Sequence, residues 1–144
     1  MFKNSRTFKI EWGDCDPAGI VFYPRYFAMF DHSTHLLVEA ASGMGKYDML
    51  KAYQATDFVG YPMVDTRARF MIPCRFGDDV TIDSAFTKIG RSSLDVEHRL
   101  FKKGQLCLEG FETRVWVGRH PQDASRIKSQ PIPDDLAAKF RANP

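Results

Sequence analysis

The sequence contains few cysteines and no long apolar segment. Its 144 residues include three cysteines at scattered positions, and an odd, scattered set is typical of reduced thiols rather than of a disulfide framework. The cysteines and histidines show no zinc-binding spacing, so we expect neither a metal nor a cofactor. No apolar run approaches the ~18 residues that a membrane-spanning helix needs, and the N-terminus lacks an apolar signal core. These absences predict a cytoplasmic protein without a membrane partner.

The sequence also lacks an excess of charge of either sign. The 20 Lys and Arg residues stand against 18 Asp and Glu residues, which gives a formal net charge of +2 without any block of like charges. Nucleic-acid-binding domains carry a concentrated basic patch or stripe, so no nucleic-acid partner is expected. What remains is an ordinary soluble composition, 44% hydrophobic and 26% charged. The length is typical of one domain, which we expect to span residues 1–144.

The first half of the chain predicts one strand followed by one long helix. Apolar and polar residues alternate over Phe8–Trp12, which indicates a strand. From Pro24, apolar residues recur at three- and four-residue steps, which is typical of an amphipathic helix, and Gly43 supplies its C-terminal stop. The apolar side comprises Tyr26, Phe27, Phe30, Thr34, Leu37, Val38 and Ala41, and the polar side comprises Arg25, Asp31, His32, His35, Glu39 and Ser42. A second short helix is expected over Tyr47–Ala55.

After Gly60 the sequence predicts a meander of antiparallel strands. Alternating runs cover Met63–Ile72, Asp79–Thr87, Ser93–Phe101 and Leu106–Val117, and hairpin-like connections join the last three. The tail, Pro133–Ala142, predicts a short peripheral helix. One long helix against an antiparallel sheet of about five to six strands is an α+β domain. Such a sheet has long exposed edges that pairing between subunits would cover, so we expect a homo-oligomer.

The bend between the first strand and the long helix holds the densest chemistry. Residues 13–26 contain the carboxylates Asp14 and Asp16, the thiol of Cys15, two glycines and two prolines. A loop that opens onto a helix N-terminus can hold an acid, a base or a nucleophile beside unpaired N–H groups. Ordinary turn chemistry, or a carboxylate that only accepts loop N–H groups, is the alternative interpretation. Cys15 is a poor nucleophile candidate, because its flanking carboxylates disfavour a thiolate.

This bend resembles the N-terminal signature of the hotdog-fold acyl-CoA thioesterases, in particular the 4-hydroxybenzoyl-CoA thioesterase type. The matching run is Asp14-Cys15-Asp16-Pro17-Ala18-Gly19-Ile20-Val21-Phe22-Tyr23-Pro24-Arg25-Tyr26, and the similarity continues through Phe30-Asp31, Val59–Pro62, Arg69-Phe70, Gly77–Ile82 and Gly90–Ser93. The resemblance implies a hotdog fold, with a long central helix packed on the sheet. It also implies a homodimer or homotetramer with sheets joined edge to edge and sites at the subunit interface.

The resemblance assigns the chemistry to two positions of the bend. The second aspartate of the matching motif is the family's catalytic carboxylate, which is Asp16 here. Asp16 either attacks the thioester carbonyl or deprotonates a water, and the sequence leaves both routes open. Negative charge then develops on the thioester oxygen, where the family uses a backbone N–H that corresponds to Tyr23 at the helix start. Pro24 stands where another type carries histidine, which favours the aromatic-acyl type.

Substrate contacts are expected on three further parts of the chain. Asp31 can bind a hydroxyl of the acyl group, although an i,i+4 pair with His35 is an alternative role. Gly60 and Tyr61 belong to a matching segment and are expected at the acyl pocket. Lys88 and Arg91 are candidates for binding the CoA phosphates, although charged hairpin tips are usually just solvated.

Two other polar residues need an assignment. Glu39 is the rival to Asp16, because another branch of hotdog thioesterases uses a glutamate on the helix as its catalytic carboxylate. His98 alternates with apolar residues, which favours a hydrogen-bonded core histidine.

The resulting expectation is an acyl-CoA thioesterase that hydrolyses an aromatic acyl-CoA, such as 4-hydroxybenzoyl-CoA, to the free acid and CoA. A thioesterase for short-chain aliphatic acyl-CoA and a non-catalytic acyl-CoA-binding module are the two alternatives. The partners implied are the acyl-CoA substrate and further copies of the same chain.

Overall fold

The computed structural model describes residues 1–143, and its longest helix has the predicted start and stop. Helix α1 (Pro24–Ser42) begins with proline at its first position, where the missing N–H has no intrahelical acceptor to lose. It ends at Gly43, whose φ of 73° is left-handed and whose N–H bonds the Glu39 carbonyl. These local signals explain why the boundaries are readable in the sequence.

One face of α1 packs into the interior. Its buried residues are Tyr26, Met29, Phe30, Ser33, Thr34, Leu37, Val38 and Ser42. The predicted apolar stripe is therefore confirmed in most positions. Ser42 is buried rather than solvated, because its hydroxyl donates to the Met44 carbonyl and accepts from the Met44 N–H.

The predicted antiparallel meander is present as a sheet of five strands. The strands are β1 (Lys3–Lys9), β3 (Met63–Phe70), β4 (Asp79–Ile89), β5 (Ser93–Lys102) and β6 (Gln105–Val115). Their spatial order is β1-β4-β5-β6-β3, with every neighbouring pair antiparallel. The inner face holds Val80, Ile82, Ser84, Phe86, Leu94, Val96, His98 and Leu100, which are the alternating sets that the sequence indicates. Strands β1 and β3 form the two edges.

A second, three-stranded sheet was not predicted. It consists of β2 (Phe58–Gly60), β7 (Val117–His120) and β8 (Asp123–Ser129) in the order β2-β7-β8. Every residue of β8 is exposed, so the strand shows no alternation of buried and exposed positions. The chain changes sheets at Trp116, whose N–H bonds the Ser92 carbonyl and whose carbonyl accepts from Gln130.

The predicted first strand was misplaced along the chain. The strand lies at Lys3–Lys9, and a single 3-10 turn follows at Trp12–Asp14. The Glu11 N–H donates to the Asp14 carboxylate at 3.0 Å, which stabilises this turn instead of an extended backbone. The alternation at Phe8–Trp12 therefore continues past the true strand end.

The two short helices differ in how well the sequence predicted them. Helix α2 is Lys46–Ala52 and a 3-10 turn follows at Gln54–Thr56, close to the expected range. Helix α3 is Asp134–Arg141, but its predicted peripheral position is wrong. Leu136 and Phe140 are fully buried, and the Phe140 ring stacks on Phe86 with centroids 4.5 Å apart. A short amphipathic helix gives no sequence signal for how deeply its apolar face is covered.

The interior contains two apolar clusters on either side of a polar one. One surrounds Trp116 and includes α3, and the other surrounds Tyr26, Cys74 and Cys107. Among residues 1–143, no helix combines the length and the apolar character needed to cross a membrane.

Candidate active site

The bend before α1 folds back on itself as a tight loop. The Phe22 N–H bonds the Asp14 carbonyl at 2.8 Å, and the Asp16 N–H bonds the Ile20 carbonyl at 2.9 Å. Gly19 closes the turn with a φ of 83°, which favours glycine. The Val21 N–H bonds the Cys74 carbonyl at 2.9 Å and fixes the loop to the segment before β4. Asp16 is therefore held in a defined loop directly before the helix start.

The Asp16 carboxylate is half-buried and only partly used by the loop. Its Oδ1 accepts the Ala18 N–H at 2.8 Å, while Oδ2 has no hydrogen-bond partner within residues 1–143. The Tyr23 N–H likewise meets no acceptor in the described part of the chain, as expected before the first turn of a helix. Both groups are thus free to act on a molecule that reaches the loop.

A separate cavity of about 380 Å³ lies between α1, α2 and β2. Its apolar wall consists of Val38, Met44, Met49, Leu50, Phe58 and Met63. Asp31, His35, Tyr61 and Arg114 line it as polar side chains, together with Glu39, Lys46 and the backbone of Gly60. The space is of the size and polarity that small organic ligands occupy.

Hydrogen bonds join the polar residues of this cavity. Arg114 Nη2 donates to Asp31 Oδ1 at 2.6 Å, and the Tyr61 hydroxyl lies 2.8 Å from His35 Nδ1. His35 Nε2 lies 3.8 Å from Asp31 Oδ1, which is close enough for the expected i,i+4 ion pair only when the imidazole is protonated. These four side chains make one polar end of an otherwise largely apolar cavity.

Behind this end, a cluster of charged and polar side chains lies buried between α1 and the sheet. Glu112 and His98 are buried and lie 3.0 Å apart, Oε2 to Nε2. The Thr34 hydroxyl donates to Glu112 Oε1 at 2.7 Å, and Arg114 Nε donates to the same oxygen at 2.8 Å. His98 Nδ1 lies 2.7 Å from the Ser84 hydroxyl. The prediction of a hydrogen-bonded core histidine at His98 is confirmed.

The surroundings shift the pKa of several of these groups. Burial alone would raise the pKa of Glu112, but hydrogen bonds and attraction from His98 and Arg114 outweigh it and lower the pKa. Burial would lower the pKa of Arg114, but Glu112 and Asp31 raise it. Burial lowers the pKa of His35 and raises that of Tyr61. At neutral pH Glu112 and Arg114 are therefore both charged, while His35 and Tyr61 are neutral.

The structure places the predicted site residues in separate parts of the molecule. Asp31, Gly60 and Tyr61 line the cavity, as does Glu39. Asp16 and Tyr23 lie in the loop and are not among its lining residues. Arg91 lies elsewhere on the surface, beside a depression of about 460 Å³ that Arg119 and Lys128 also line. Lys88 is exposed near the end of β4 and does not line that depression.

Sequence reasoning did not select Glu112, Arg114, Arg119 or Lys128. Glu112 and Arg114 lie on the same face of the strand as Leu106, Leu108 and Trp116. Two charged residues on an otherwise apolar face of a strand indicate a buried ion pair. Arg119 and Lys128 lie on strands that were not predicted, so their position beside Arg91 could not be inferred.

Among residues 1–143, no cluster of three or more His, Cys, Asp or Glu side chains has the arrangement to hold a metal ion.

A family model described as the thioesterase-like superfamily matches residues 10–140. The chain belongs to this superfamily. A curated relative, the 4-hydroxybenzoyl-CoA thioesterase of Pseudomonas sp. (strain CBS-3), is 27% identical over 133 residues, which cover 88% of this chain and 89% of that protein.

Solved structures of thioesterases match nearly the whole length of this chain. One is an Asp-to-Asn mutant of a 4-hydroxybenzoyl-CoA thioesterase complexed with 4-hydroxybenzoyl-CoA, with a TM-score of 0.85, 26% identity and coverage of 97% of this chain and 99% of that one. Another is a gentisyl-coenzyme A thioesterase, with a TM-score of 0.77, 27% identity and coverage of 95% and 99%. The expected hotdog fold and thioesterase family are confirmed.

Proposed function

We propose that this member of the thioesterase-like superfamily hydrolyses an aromatic acyl-CoA, such as 4-hydroxybenzoyl-CoA, to the free acid and CoA. The cavity with one polar end is the observation that carries the proposal. Its apolar wall suits an aromatic ring, and Asp31 can accept a hydrogen bond from a ring hydroxyl through Oδ2, which has no partner within residues 1–143. The similarity to thioesterases named for 4-hydroxybenzoyl-CoA and gentisyl-CoA supports the same acyl class.

Asp16 is the proposed catalytic carboxylate. In the nucleophilic route, its free oxygen attacks the thioester carbonyl and expels the CoA thiolate, which leaves a mixed anhydride that water hydrolyses. In the general-base route, Asp16 takes a proton from the water that attacks. One solved relative is an Asp-to-Asn mutant complexed with 4-hydroxybenzoyl-CoA, which supports an aspartate in this role.

The Tyr23 N–H is the proposed donor to the oxygen that becomes negative in either route. It lies at the start of α1, where the helix dipole favours negative charge, and it has no acceptor in the described residues. Loss of one such donor typically lowers the rate by about 10²–10³. Because the donor is a backbone group, side-chain substitution does not remove it.

The proposed CoA-binding surface lies around Arg91. Arg119 and Lys128 add two positive charges to the same depression. One guanidinium group can donate two parallel hydrogen bonds to the oxygens of a phosphate. Lys88 is exposed near the end of β4, outside this depression, and is the further candidate for a phosphate contact. Replacing Arg91 should therefore raise KM with little change in kcat.

A second copy of the chain is proposed to bring Asp16 to the cavity, because the two are separate within one chain. Strand β3 is an edge of the sheet, and Val64 and Phe70 on it are 60% and 52% exposed. The loop that holds Asp16 is bordered by Phe22 and Tyr23, which are 51% and 60% exposed. Exposed apolar residues along an open edge strand are typical of a subunit interface.

Asp16→Asn tests the catalytic assignment. The amide oxygen can still accept the Ala18 N–H, so the loop keeps its hydrogen bond. We expect kcat for 4-hydroxybenzoyl-CoA hydrolysis to fall by at least about 10³, in the range seen for loss of a catalytic nucleophile, while binding of the ester is retained. Asp14→Asn is the matched control, because Asp14 serves the 3-10 turn, and it should keep most of the activity.

Glu39→Gln separates the remaining alternative, since Glu39 lines the cavity of its own chain. Full activity in Asp16→Asn together with inactivity in Glu39→Gln would transfer the catalytic role to Glu39. Comparison of kcat/KM for benzoyl-type and short-chain aliphatic CoA esters tests the acyl class, and a preference for the aliphatic esters would contradict it. Absence of thiol release from every ester would favour a non-catalytic binding module.

A further inference from the structure

Arg114 connects the cavity to the interior of the sheet. Its side chain is 3% exposed and makes ion pairs with Glu112, which is 1% exposed, and Asp31, which is 51% exposed. One guanidinium therefore binds a carboxylate in the core through Nε and a carboxylate at the cavity through Nη2. The planar group fixes the direction of both bonds at once.

The inner carboxylate is itself held rigidly. Glu112 accepts hydrogen bonds from Thr34 and Arg114 at Oε1, and Oε2 faces His98 Nε2 at 3.0 Å. Because a carboxylate only accepts, His98 Nε2 must carry the hydrogen. The His98 ring is fixed in turn by its stack on Phe30, with centroids 4.9 Å apart, and by the Ser84 hydroxyl. Arg114 is thus anchored to a group of buried, hydrogen-bonded side chains.

Asp31 has no comparable anchor of its own. It lies on the exposed side of α1, and its closest ionic partner besides Arg114 is His35 at 3.8 Å, which is beyond hydrogen-bond distance. A half-exposed aspartate on a helix would otherwise move between rotamers. The bond from Arg114 to Oδ1 selects one of them and leaves Oδ2 available at the polar end of the cavity.

We propose that Arg114 is a positioning residue for substrate selection. By holding the Asp31 carboxylate in one orientation, it makes the cavity favour aromatic acyl groups that carry a hydroxyl donor over the same groups without one. The inference rests on the proposed thioesterase function and adds the residue that sets its selectivity. A site built to hydrogen-bond a substrate hydroxyl discriminates far better than an apolar pocket of equal size, but only if its acceptor is held in place.

Arg114→Lys is the variant to test, because it keeps the positive charge between the two carboxylates but loses the fork that fixes both. Removal of the charge altogether would leave a buried carboxylate uncompensated and endanger folding. We compare kcat/KM for 4-hydroxybenzoyl-CoA and for benzoyl-CoA. The wild-type preference for the hydroxylated ester should fall by about tenfold or more, mainly through a raised KM for that ester.

Asp31→Asn and the double variant show whether Arg114 acts through Asp31. If it does, Arg114→Lys changes the preference by less than about twofold once Asp31 is already replaced, which is a strongly non-additive cycle. Equal losses on both esters would assign Arg114 a purely structural role and overturn the proposal. Additive effects in the double variant would overturn it too, because Arg114 would then act independently of Asp31.

The same comparison is made by binding, so that the proposal is tested even without turnover. The affinities of both esters are measured by calorimetry for Asp16→Asn with and without Arg114→Lys. A selective loss of affinity for the hydroxylated ester supports the role of Arg114 even if the wild-type protein hydrolyses neither ester, in which case only the proposed function fails. If the wild type hydrolyses the esters and Arg114→Lys leaves the preference unchanged, the proposed function stands and the role of Arg114 is overturned.

Discussion

At the scale of single residues, close packing between α1 and the sheet depends on a missing side chain. Gly110 lies on β6 opposite His98, and a Cβ atom at this position would lie 2.6 Å from the Phe30 ring. Phe30 is 2% exposed and stacks on His98, so the ring has little room to move away. The register of α1 on the sheet therefore requires glycine here.

Gly110→Ala should lower the free energy of unfolding by about 1–3 kcal/mol, as expected for overpacking in a core. Denaturant unfolding measures this change. Gly13→Ala is the control, because a Cβ there meets nothing within 4 Å, and it should be nearly neutral. Equal stability of the two variants would contradict the packing argument.

His35 connects a single titration to stability. Burial lowers its pKa below the ordinary value of 6.5, so the folded protein binds a proton less readily than the unfolded chain. As the pH falls below 6.5, the unfolded state gains protons first, and the free energy of unfolding should decrease. His35→Gln should flatten this dependence. NMR titration of the imidazole shows directly whether its midpoint lies below 6.5.

At the scale of secondary-structure elements, helix α3 completes the core. Its Phe140 ring covers Phe86 on β4, and Leu136 and Ala137 belong to the cluster around Trp116. The Phe2 N–H also bonds the Phe140 carbonyl at 2.9 Å, which connects the two ends of the chain. An eight-residue helix is too short to be stable in water alone, so it exists because of these contacts.

Phe140→Ala should destabilise the fold by about 3–5 kcal/mol, because it removes a fully buried aromatic ring. Ala138→Ser, on the exposed side of the same helix, should cost less than about 1 kcal/mol. Thermal or denaturant unfolding compares the two. A small effect of Phe140→Ala would mean that α3 is peripheral, as the sequence suggested.

At the scale of the whole molecule, we propose a site that is shared between two chains. The loop with Asp16 and the cavity with Asp31 are distinct places on one chain, and the exposed residues of β3 supply an edge through which a second copy can join. Size-exclusion chromatography with light scattering measures the resulting mass directly.

Mixing two inactive variants tests whether the site is shared. Asp16→Asn lacks the proposed catalytic group, and Leu50→Trp fills the cavity, which Leu50 lines. In refolded mixtures of equal amounts, half of the dimers are mixed and each has one intact site, so about a quarter of wild-type activity should return. No recovery would place both parts of the site in one chain and would favour Glu39.

Local signals made much of the fold readable. Pro24 and Gly43 bound α1 through backbone chemistry that depends only on neighbouring residues, and strands β4, β5 and β6 follow the alternation that one buried face imposes. Strand β8 could not be found because both of its faces are exposed. The confirmed family resemblance came mainly from the bend, whose glycines and prolines lie close together along the chain.

The sequence alone determined the boundaries of α1, the antiparallel strands β4, β5 and β6, and the family, because these depend on residues close together along the chain. Tertiary structure alone decided which polar groups meet. Arg114 and Asp31 are separated by 83 positions, and only the packing of α1 on β6 brings them together at the cavity. Ion pairing then keeps Glu112 and Arg114 charged against the cost of burial, and burial lowers the pKa of His35, because desolvation and ion pairing exist only in the folded interior.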